Sequence, residues 1–532
     1  MTQDPVSVAG KDLVIASEVD ILVIGAGPAG RAAARQAAEG GASVMLVDEA
    51  PVPFETMGEH VPQIWGGRAG GQTRNRQAMM ERMLEARPAL GDLFEAGVDV
   101  RLGTACWGLY VNQVNMRWLP GRLASLSGGD EGTQLVRFGQ AVVATGRRDM
   151  GLAFPGWDMP GVMGLHAALV LHGLYDALDA RRCVVLGATA EALTGALALA
   201  DGGVEVAAVI ERAETAPAPD ALLAQLADRG IEIRTGAVPR GVDCDMSGVT
   251  ALNLGDGAIA CDAVLLGVGA VPVIDLLQAA GAAVSFDAAR SGFVPRLGAG
   301  LATTLDGVRA AGDCCGIWPA KSADPALSEA EGRLAAEAAL AALGKGPGPS
   351  AAPPAPLPIP PGDGPDLSDY RKGWIRAAVV EAMDEMPVCL CEEVTARDIL
   401  ELRPPRYLNA PAPGNAPRSL TRLLGDGPPD PDQVKRLTRA GMGPCQGRRC
   451  REQVQALLAL QETLALGAIP LASYRMPVRP LSLAEALLPE TPEVLDNWEA
   501  WFGMPGQWAP WEILPESYTV ATRRTEEDHA NE

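Results

Sequence analysis

Residues 19–30 read VDILVIGAGPAG, an apolar run that leads directly into three spaced glycines. The Val and Ile content of the run predicts a strand, and the glycines predict a tight turn after it. Gly25 permits the turn, Gly27 lets the backbone approach a pyrophosphate without an intervening Cβ, and Gly30 lets the next helix pack closely. The start of that helix offers unpaired N–H groups and a partial positive charge to phosphates. The stretch therefore predicts a nucleotide-binding turn.

The segments after this turn extend the pattern into a doubly wound domain. An Ala-rich helix is predicted over residues 31–39, and a second apolar strand over residues 43–47. Asp48 ends that strand 18 residues after Gly30, where a carboxylate accepts hydrogen bonds from ribose hydroxyls. This order of elements predicts an α/β fold with a parallel sheet. The candidate cofactor-binding residues of the unit are Gly25, Gly27, Pro28, Ala29, Gly30, Asp48 and Glu49.

A second copy of the unit follows, with a strand over residues 183–186, a helix through Ala200 and a strand over residues 204–210. Its glycine motif reads GATAEA over residues 187–192. Thr189 replaces the glycine that would approach a pyrophosphate, and its branched Cβ crowds that approach. We therefore expect an intact fold that does not use NAD(P)H as its electron donor. The sequence leaves open whether another nucleotide or nothing occupies the cleft.

The composition bounds the class of protein. The chain has 532 residues, enough for several domains, and a net charge of −22, which argues against nucleic-acid binding. It holds no run of about 18 uncharged apolar residues, so no membrane-spanning helix is expected. Residues 1–20 lack the features of a secretory signal, and the ten cysteines do not resemble a secreted disulfide framework. We therefore expect a protein of the reducing cytoplasm.

Two later segments indicate which nucleotide the first site binds. Residues 141–146 read AVVATG, and residues 304–313 are predicted to form a strand ending in Gly-Asp, before a helix over residues 329–343. With the first glycine motif, they resemble the flavoprotein reductases that have two dinucleotide domains. The resemblance implies FAD, with Asp313 bonding its ribityl chain and a loop at residues 70–72 near the flavin ring. Further candidate cofactor-binding residues follow from it: Gly71, Gln72, Ala144, Thr145, Gly146, Gly312 and Asp313.

Four of the ten cysteines form a second candidate site. Cys389 and Cys391 are spaced C-x-C, and Cys445 and Cys450 are spaced C-x4-C after a gap of 53 residues. Four thiolates can hold a tetrahedral zinc or a 2Fe–2S cluster. Zinc sites more often use C-x2-C pairs, so the C-x-C spacing favours iron–sulfur. Backbone N–H groups of the glycine-rich turn at residues 441–444 can bond to the cluster sulfurs.

The residues around these cysteines carry a resemblance. Residues 438–450, TRAGMGPCQGRRC, are similar to the ferredoxin domain first described in bacterioferritin-associated ferredoxin, which implies that the four cysteines hold a 2Fe–2S cluster. The gap between the cysteine pairs is longer than in the short members of that family, and the Pro- and Gly-rich residues 404–431 account for it. Thr395 and Asp398 suit a capped helix start after the first pair. Zinc and four unliganded cysteines stay as alternatives.

The domain division follows from these motifs and from one proline-rich stretch. Nine prolines lie between Pro347 and Pro365, and such a segment is stiff and unable to build a core. The predicted fold class is α/β, with two Rossmann-like dinucleotide-binding domains of the glutathione-reductase type followed by a small, mainly helical 2Fe–2S domain. The predicted parts are an N-terminal extension (1–17), an FAD-binding domain (18–150 and 290–345), a second dinucleotide domain (151–289), a linker (346–370), a 2Fe–2S domain (371–465) and a C-terminal extension (466–532).

The order of these domains resembles one group of enzymes. An FAD domain followed by this ferredoxin domain is similar to the α (A) subunit of bacterial hetero-oligomeric, dye-linked amino-acid dehydrogenases. That group includes opine oxidase, hydrogen cyanide synthase and D-hydroxyproline or proline dehydrogenases. Residues 154–162 (FPGWDMPGV) and 474–480 (YRMPVRP) carry the same resemblance, which covers residues 18–485. The Trp-rich residues after Leu488 depart from it, and the sequence leaves open whether they dock a partner or fold back.

The resemblance implies a division of labour within a complex. A β subunit of the amino-acid-oxidase fold oxidises a C–N bond with its own flavin, and this chain passes the electrons to a quinone or dye-type acceptor. The resemblance is also compatible with an FMN at an interface between subunits and with a small ferredoxin-like γ subunit. Through such partners a cytoplasmic chain can sit peripherally at the inner membrane.

Other residues and hypotheses stay beside this interpretation. The competing enzyme hypothesis is a self-contained NAD(P)H-dependent reductase that uses FAD and iron–sulfur, and the non-enzymatic one is a scaffold. His166 and His172 lie on an apolar helix and are interpreted as packing residues, whereas the position of His60 relative to the flavin stays open. The adjacent Cys314 and Cys315 are interpreted as small core residues, because neighbouring cysteines bridge only with strain.

Overall fold

The computed structural model describes residues 14–51, 75–112, 119, 121–128, 132–345, 365–382, 386–404, 422, 425, 427, 430–461, 463–481 and 485. Several predictions fall outside these ranges: Gly71 and Gln72, His60, most of the Pro-rich linker, most of the Pro- and Gly-rich insertion and the Trp-rich part of the C-terminal extension. The chain divides into two units, Met1–Leu481 and Ser482–Glu532, and every element below belongs to the first.

Short strands make up the sheets of the described part. They are, in chain order, β1 (Ser17–Ile24), β2 (Val44–Asp48), β3 (Asp99–Leu102), β4 (Thr104–Tyr110), β5 (Leu123–Gly128), β6 (Thr133–Val143), β7 (Arg147–Asp149), β8 (Val162–Gly164), β9 (Arg182–Leu186), β10 (Glu205–Ile210), β11 (Glu232–Arg234), β12 (Gly241–Asp245), β13 (Gly248–Asn253), β14 (Ala258–Ala260), β15 (Ala263–Leu266), β16 (Ala270–Pro272), β17 (Val284–Asp287), β18 (Gly292–Pro295), β19 (Val308–Ala310), β20 (Pro387–Cys389) and β21 (Val394–Thr395).

Helices connect and cover these strands. The α-helices are α1 (Pro28–Glu39), α2 (Arg76–Ala86), α3 (Ala89–Glu95), α4 (Leu165–Gly173), α5 (Ala190–Asp201), α6 (Asp220–Asp228), α7 (Asp275–Ala279), α8 (Pro319–Ala323), α9 (Pro325–Ala342), α10 (Ser368–Ile375), α11 (Ala396–Leu400), α12 (Pro431–Thr438) and α13 (Arg451–Gln461). Turns of 3₁₀-helix cover Ala288–Arg290, Ala299–Leu301, Gly312–Cys315, Leu390–Glu392 and Leu466–Ala468, and a π-helical turn covers Arg376–Val380. Over the described ranges, no helix is both long and apolar enough to cross a membrane.

The first sheet confirms the predicted strand–turn–helix–strand unit. Strands β3, β2, β1 and β6 lie side by side and parallel, β19 pairs with the end of β6, and the antiparallel β5 and β4 extend from its start. Residues 21–24 of β1 are buried, as expected for a parallel strand that is covered on both faces. The sheet thus brings the ends of β1, β2 and β6 to one edge.

Helix α9 packs on helix α1 over this sheet, and small residues let the two backbones approach closely. A Cβ on Gly332 would lie only 2.0 Å from the carbonyl oxygen of Ala29. The strand predicted over residues 304–313 is shorter than expected, because Gly307 has a φ of +74° and turns the chain immediately before β19. The Gly-Asp pair lies beyond β19 on the turn Gly312–Cys315.

The second sheet repeats the first. Strands β11, β10, β9, β15 and β8 are all parallel, and the antiparallel β12, β13 and β14 form a separate ladder. The short strand β7 pairs with β16, so the chain that leaves the first sheet is tied directly to the second domain. The predicted second dinucleotide fold is therefore present.

The segment after the linker shares a core with the second dinucleotide domain. Trp157 and Leu266 of that domain belong to the same buried cluster as Trp374, Val388 and Leu457. Helix α11 begins at the predicted cap, where the side chain of Thr395 accepts a hydrogen bond from the backbone N–H of Asp398 and the carboxylate of Asp398 accepts one from that of Thr395. The cysteine-bearing loops are thus held on a packed scaffold.

Candidate functional site

The first glycine motif forms the turn between β1 and α1. Gly25 has a φ of +109°, and a Cβ there would lie 2.2 Å from the carbonyl oxygen of Ala144. A Cβ on Gly30 would lie 1.8 Å from the carbonyl oxygen of Gly25, so both positions require glycine. At Gly27 an added Cβ would meet no atom of the described residues within 4 Å. The backbone of Gly27 therefore faces open space, as a pyrophosphate cradle requires.

The start of helix α1 completes this cradle. Gly27 is its N-cap residue and supplies no capping side chain, and Pro28 occupies the first turn. The N–H groups of that turn have no partner within the helix, and the helix dipole adds a partial positive charge. Both features favour a phosphate at this point.

Asp48 lies beside the turn at the end of β2. Its Oδ2 accepts a hydrogen bond from the N–H of Ala26 at 2.5 Å, and its Oδ1 accepts one from that of Ala50 at 2.8 Å. Burial raises the pKa of this carboxyl above its usual range. Each carboxylate oxygen can accept a second hydrogen bond, so a ribose hydroxyl still fits there. Glu49, the neighbouring candidate, instead forms an ion pair with Arg479.

The third part of the site comes from β6 and the turn after β19. Thr145 donates a hydrogen bond to the carbonyl oxygen of Val273 at 2.7 Å, which joins the strand end to the second domain. Asp313 Oδ2 accepts from Arg147 Nε at 2.7 Å, whereas its buried Oδ1 has no partner among the described residues. An unsatisfied carboxylate oxygen fits a hydroxyl donor. The residues present therefore fit FAD, and Asp313 Oδ1 would be free to accept one of its hydroxyls.

A buried ion pair that the sequence pattern did not reveal supports the Gly312–Cys315 turn. Lys321 Nζ lies 2.7 Å from Glu331 Oε2 and donates to the carbonyl oxygen of Gly312 at 2.9 Å. Glu331 Oε2 accepts from the N–H of Gly312 at 2.7 Å. Burial raises the pKa of Glu331 although the ammonium group beside it opposes this. The pair fixes the backbone immediately before Asp313.

A cavity of about 210 Å³ opens from this site toward the cysteines. Thr145 and Arg147 line one part of it, and Cys445 and Arg449 line another. Arg449 lies with its guanidinium carbon 4.9 Å from the ring centre of Trp157, another wall residue. The end of β6 and the second cysteine loop therefore face a common space.

His166 also lines the cavity, so its interpretation as a packing residue was wrong. It follows the start of helix α4, whose first N–H groups donate to the carboxylate of Asp149 at 3.0 and 3.1 Å. The ring is reached by water yet surrounded by protein, and burial together with Arg147 lowers its pKa to about 4. Burial raises the pKa of Asp149 to about 7. His172 packs as expected, with Nε2 where a Cβ on Gly202 would lie.

The structure brings the four cysteines together. The sulfurs of Cys391 and Cys445 lie 3.6 Å apart, and Cys389 interacts with both Cys391 and Cys450. Gly441 donates its backbone N–H to Cys389 Sγ at 3.3 Å, and none of the four cysteines is in a disulfide. Within the described ranges, no group of three or more His, Cys, Asp or Glu side chains surrounds a single metal-ion position.

Cys314 and Cys315 are both buried, as expected for small core residues. Their sulfurs lie 3.9 Å apart without a covalent bond. Cys314 Sγ also contacts the carbonyl oxygens of Val143 and Ala311 at 3.4 and 3.2 Å. The pair therefore belongs to the packing behind the Gly312–Cys315 turn.

The second glycine motif forms the same turn as the first but has a different residue at the start of the following helix. Gly187 has a φ of +101°, and a Cβ there would lie 2.7 Å from the carbonyl oxygen of Gly267. Thr189 is buried, and its hydroxyl caps helix α5 by accepting from the N–H of Ala192 at 3.2 Å. The side chain predicted to crowd a pyrophosphate thus occupies the helix start.

Three proteins of known identity are similar to this chain over different lengths. The A subunit of opine oxidase from Agrobacterium tumefaciens (strain Ach5) is 28% identical over 503 residues, covering 90% of this chain and 93% of that protein. The alpha subunit of sarcosine oxidase from Rhizobium meliloti (strain 1021) is 28% identical over 288 residues, 52% of this chain and 27% of that protein. The crystal structure of L-proline dehydrogenase from P. horikoshii shares the fold, with a TM-score of 0.58, 20% identity, and coverage of 90% of this chain and 81% of that one.

The family described as pyridine nucleotide-disulphide oxidoreductase matches residues 19–341. That range holds both glycine motifs and both parallel sheets, which is more than half of the chain. The chain belongs to the pyridine nucleotide-disulphide oxidoreductase family and is an oxidoreductase.

Proposed function

We propose that this chain is the FAD- and 2Fe–2S-carrying electron-transfer subunit of a hetero-oligomeric dehydrogenase that acts on C–N bonds of amino acids or opines. The observation that carries the proposal is the cavity lined by both Thr145, at the FAD site, and Cys445, in the cysteine group. FAD takes up electrons in pairs and an iron–sulfur cluster carries them singly, so the two groups together connect a two-electron oxidation to a one-electron acceptor.

The arrangement of the cysteines favours a two-iron cluster over a single metal ion. In a 2Fe–2S cluster each iron takes two protein thiolates, so two pairs of cysteines are needed rather than three or four ligands around one point. Cys391 lies next to Cys445, and Cys389 interacts with Cys450 as well as with Cys391, so each C-x-C cysteine has a neighbour from the C-x4-C pair. The N–H of Gly441 adds a hydrogen bond to Cys389 Sγ, which stabilises the charge of a thiolate ligand.

The relatives support the substrate class and the presence of partners. The similarity to the A subunit of opine oxidase extends over 90% of this chain, well beyond the family match at residues 19–341. Opines, sarcosine and proline are all secondary amines, and the names of two relatives denote subunits. We therefore propose a β subunit of the amino-acid-oxidase fold as the electron source, with an interface FMN and a ferredoxin-like γ subunit as further components. A quinone or dye-type acceptor then receives the electrons, in the cytoplasm or at the inner membrane surface.

Loss of single cysteines tests the cluster. Cys389→Ser should remove the iron and the rhombic electron paramagnetic resonance signal of the reduced protein, while FAD stays bound at its own site. Cys106→Ser is the matched control, since Cys106 is also buried but belongs to a different core. Iron content that is equal in the two variants would contradict the assignment of the cysteines.

An anaerobic absorbance spectrum tests the direction of electron flow. The purified chain should show a flavin band with an iron–sulfur shoulder that NADH leaves unbleached, whereas the co-purified complex should be bleached by an amino-acid or opine substrate. Rapid bleaching of the isolated chain by NADH would favour the self-contained NAD(P)H-dependent reductase instead.

A further inference from the structure

The two dinucleotide domains place a carboxylate at the same point. In the first, Asp48 accepts a hydrogen bond from the N–H of Ala26, the second residue of the glycine motif. In the second, Glu211 Oε2 accepts from the N–H of Ala188 at 3.0 Å, again the second residue of the motif. A carboxylate at this position recognises the ribose of a bound nucleotide. Glu211 therefore marks where a ribose would bind in the second domain.

Tyr370 of helix α10 already occupies that point. Its hydroxyl donates to Glu211 Oε2 at 2.8 Å and accepts from the N–H of Ala188 at 3.2 Å. The hydroxyl lies so close to the turn that a Cβ on Gly187 would come within 3.0 Å of it. Tyr370 thus makes, from within the chain, the hydrogen bond to the carboxylate that a ribose hydroxyl would make. Glu211 is 0% exposed, so water does not compete there.

The rest of helix α10 is anchored around the same cleft. Arg371 is 4% exposed and donates to the carbonyl oxygen of Ala270 at 2.9 Å and to Ser291 Oγ at 2.6 Å. A Cβ on Gly269 would lie 2.7 Å from Arg371 Nε, so the guanidinium rests directly on that backbone. Trp374 is fully buried and packs edge-on against Tyr370, with ring centres 6.4 Å apart. These contacts fix helix α10 beside the cleft and hold Tyr370 at its mouth.

The helix start in front of the cleft also disfavours a pyrophosphate. Thr189 fills the position that is open at Gly27 and uses its hydroxyl as a cap. Glu191 places a carboxylate in the first turn of α5, where it pairs with Arg147. Burial is the main cause that raises the pKa of Tyr370 above its usual range, and the negative charge of Glu211 adds to it. The phenol therefore stays a hydrogen-bond donor.

We propose that Tyr370 is an internal substitute for a nucleotide ribose. It closes the second dinucleotide cleft to NAD(P)H and other adenosine nucleotides, and helix α10 packs in the cleft instead. Tyr370 is then the residue that decides which electron donors the chain rejects. The proposal concerns the cleft of the second domain and helix α10, so it stands whether or not the cysteines hold a cluster.

Titration of the unaltered, FAD-loaded chain is the first test. Isothermal calorimetry with NADH and with ADP-ribose should detect no binding up to millimolar ligand. Hydrogen exchange of residues 187–192 should likewise be unchanged by either ligand. Binding of either ligand that Glu211→Gln abolishes would overturn the proposal.

Variants of Tyr370 provide the second test. Tyr370→Ala combined with Thr189→Gly should bind ADP-ribose with a Kd at least about tenfold below that of the parent chain. Tyr370→Phe keeps the ring in the cleft and should not bind, but it should lower the thermal midpoint because Glu211 and the N–H of Ala188 lose a buried partner. An unchanged midpoint for Tyr370→Phe would contradict the proposal even if the double variant fails to fold. A folded double variant that still excludes ADP-ribose would also contradict it.

Discussion

The first and second dinucleotide domains share one turn but differ in what lies in front of it. Gly25 and Gly187 have φ angles of +109° and +101°, and an added Cβ at either would collide with a neighbouring strand end. Each turn also has a carboxylate that accepts an N–H from the second residue of the motif. These shared features serve the packing of strand on helix, so they persist whether or not a ligand binds.

The differences lie at the positions that would touch a ligand. Gly27 faces open space, whereas Thr189 is buried and caps its helix. Among the described residues, the hydrogen-bond partners of Asp48 in the first domain are backbone N–H groups, whereas Glu211 in the second also binds Tyr370. The comparison indicates that the glycine turn is typical of the fold. Ligand binding depends instead on the second glycine of the motif and on what bonds the carboxylate at the end of the next strand.

The largest expected effect concerns the buried ion pair of Lys321 and Glu331, which stabilises the Gly312–Cys315 turn of the first site. Lys321→Met leaves Glu331 buried without its partner, which should lower the free energy of unfolding by about 3 to 5 kcal/mol. Chemical denaturation of the FAD-free chain measures this. Arg35→Met is the control, because the exposed pair of Arg35 with Glu39 should contribute less than about 1 kcal/mol. Equal losses for the two variants would mean that the buried pair does not hold the turn.

The next effect separates the third positions of the two motifs. Gly30→Ala places a methyl group 1.8 Å from the carbonyl oxygen of Gly25, so it should cost about 1 to 3 kcal/mol and abolish FAD retention. Ala192→Gly is the matched change in the second domain and should cost about 1 kcal/mol without loss of flavin. The flavin absorbance per chain after gel filtration measures both. Flavin absorbance that persists in the Gly30→Ala protein would contradict the assignment of the first turn as the FAD site.

A smaller effect sharpens the comparison at the second glycine. Gly27→Thr copies Thr189 into the first motif, where an added Cβ meets no protein atom within 4 Å. The apo-protein should therefore unfold at an unchanged or higher temperature, because Thr can cap helix α1, while FAD affinity falls about tenfold or more. Gly91→Thr is the control, since its Cβ also meets no atom within 4 Å. Unchanged FAD affinity in Gly27→Thr would show that Thr189 does not limit the second site.

A pH-dependent effect concerns Asp149, on the strand that joins the domains. Its pKa is raised to about 7 from 3.8, so the folded chain binds this proton more tightly than the unfolded chain. The resulting stabilisation is complete below the unfolded value and is lost as the pH rises through about 7. Compared with Asp149→Asn, the parent chain should therefore lose stability between about pH 4 and pH 7. Parallel urea midpoints across that range would refute the shift.

Much of this fold could be predicted from local pattern. Residues 19–30 indicate a parallel strand, a glycine turn and a helix, because each of those elements depends on neighbours within a few positions. Thr189 could be recognised as a departure for the same reason, since the glycine rule at that position concerns the local backbone. The helix cap at Thr395 was predicted and is confirmed, again from two residues three positions apart.

The contacts that the pattern missed lie beyond the few positions over which local periodicity acts. Lys321 supports Gly312 and Glu331 through a buried network, and His166 faces a cavity although its helix looks uniformly apolar. A helix that is buried on several sides has no polar face to indicate which position borders a cavity.

Local sequence was enough to predict the two dinucleotide domains, the candidate FAD residues and the cysteine spacing, because short-range backbone geometry imposes those residue types. The packed structure was needed to reveal that Tyr370 bonds Glu211 at the second turn and that Cys445 and Thr145 face one cavity. Tyr370 meets Glu211 across 159 residues, and Thr145 is 300 residues from Cys445. Such meetings depend on how the packed domains bring distant loops together, and no local periodicity records that.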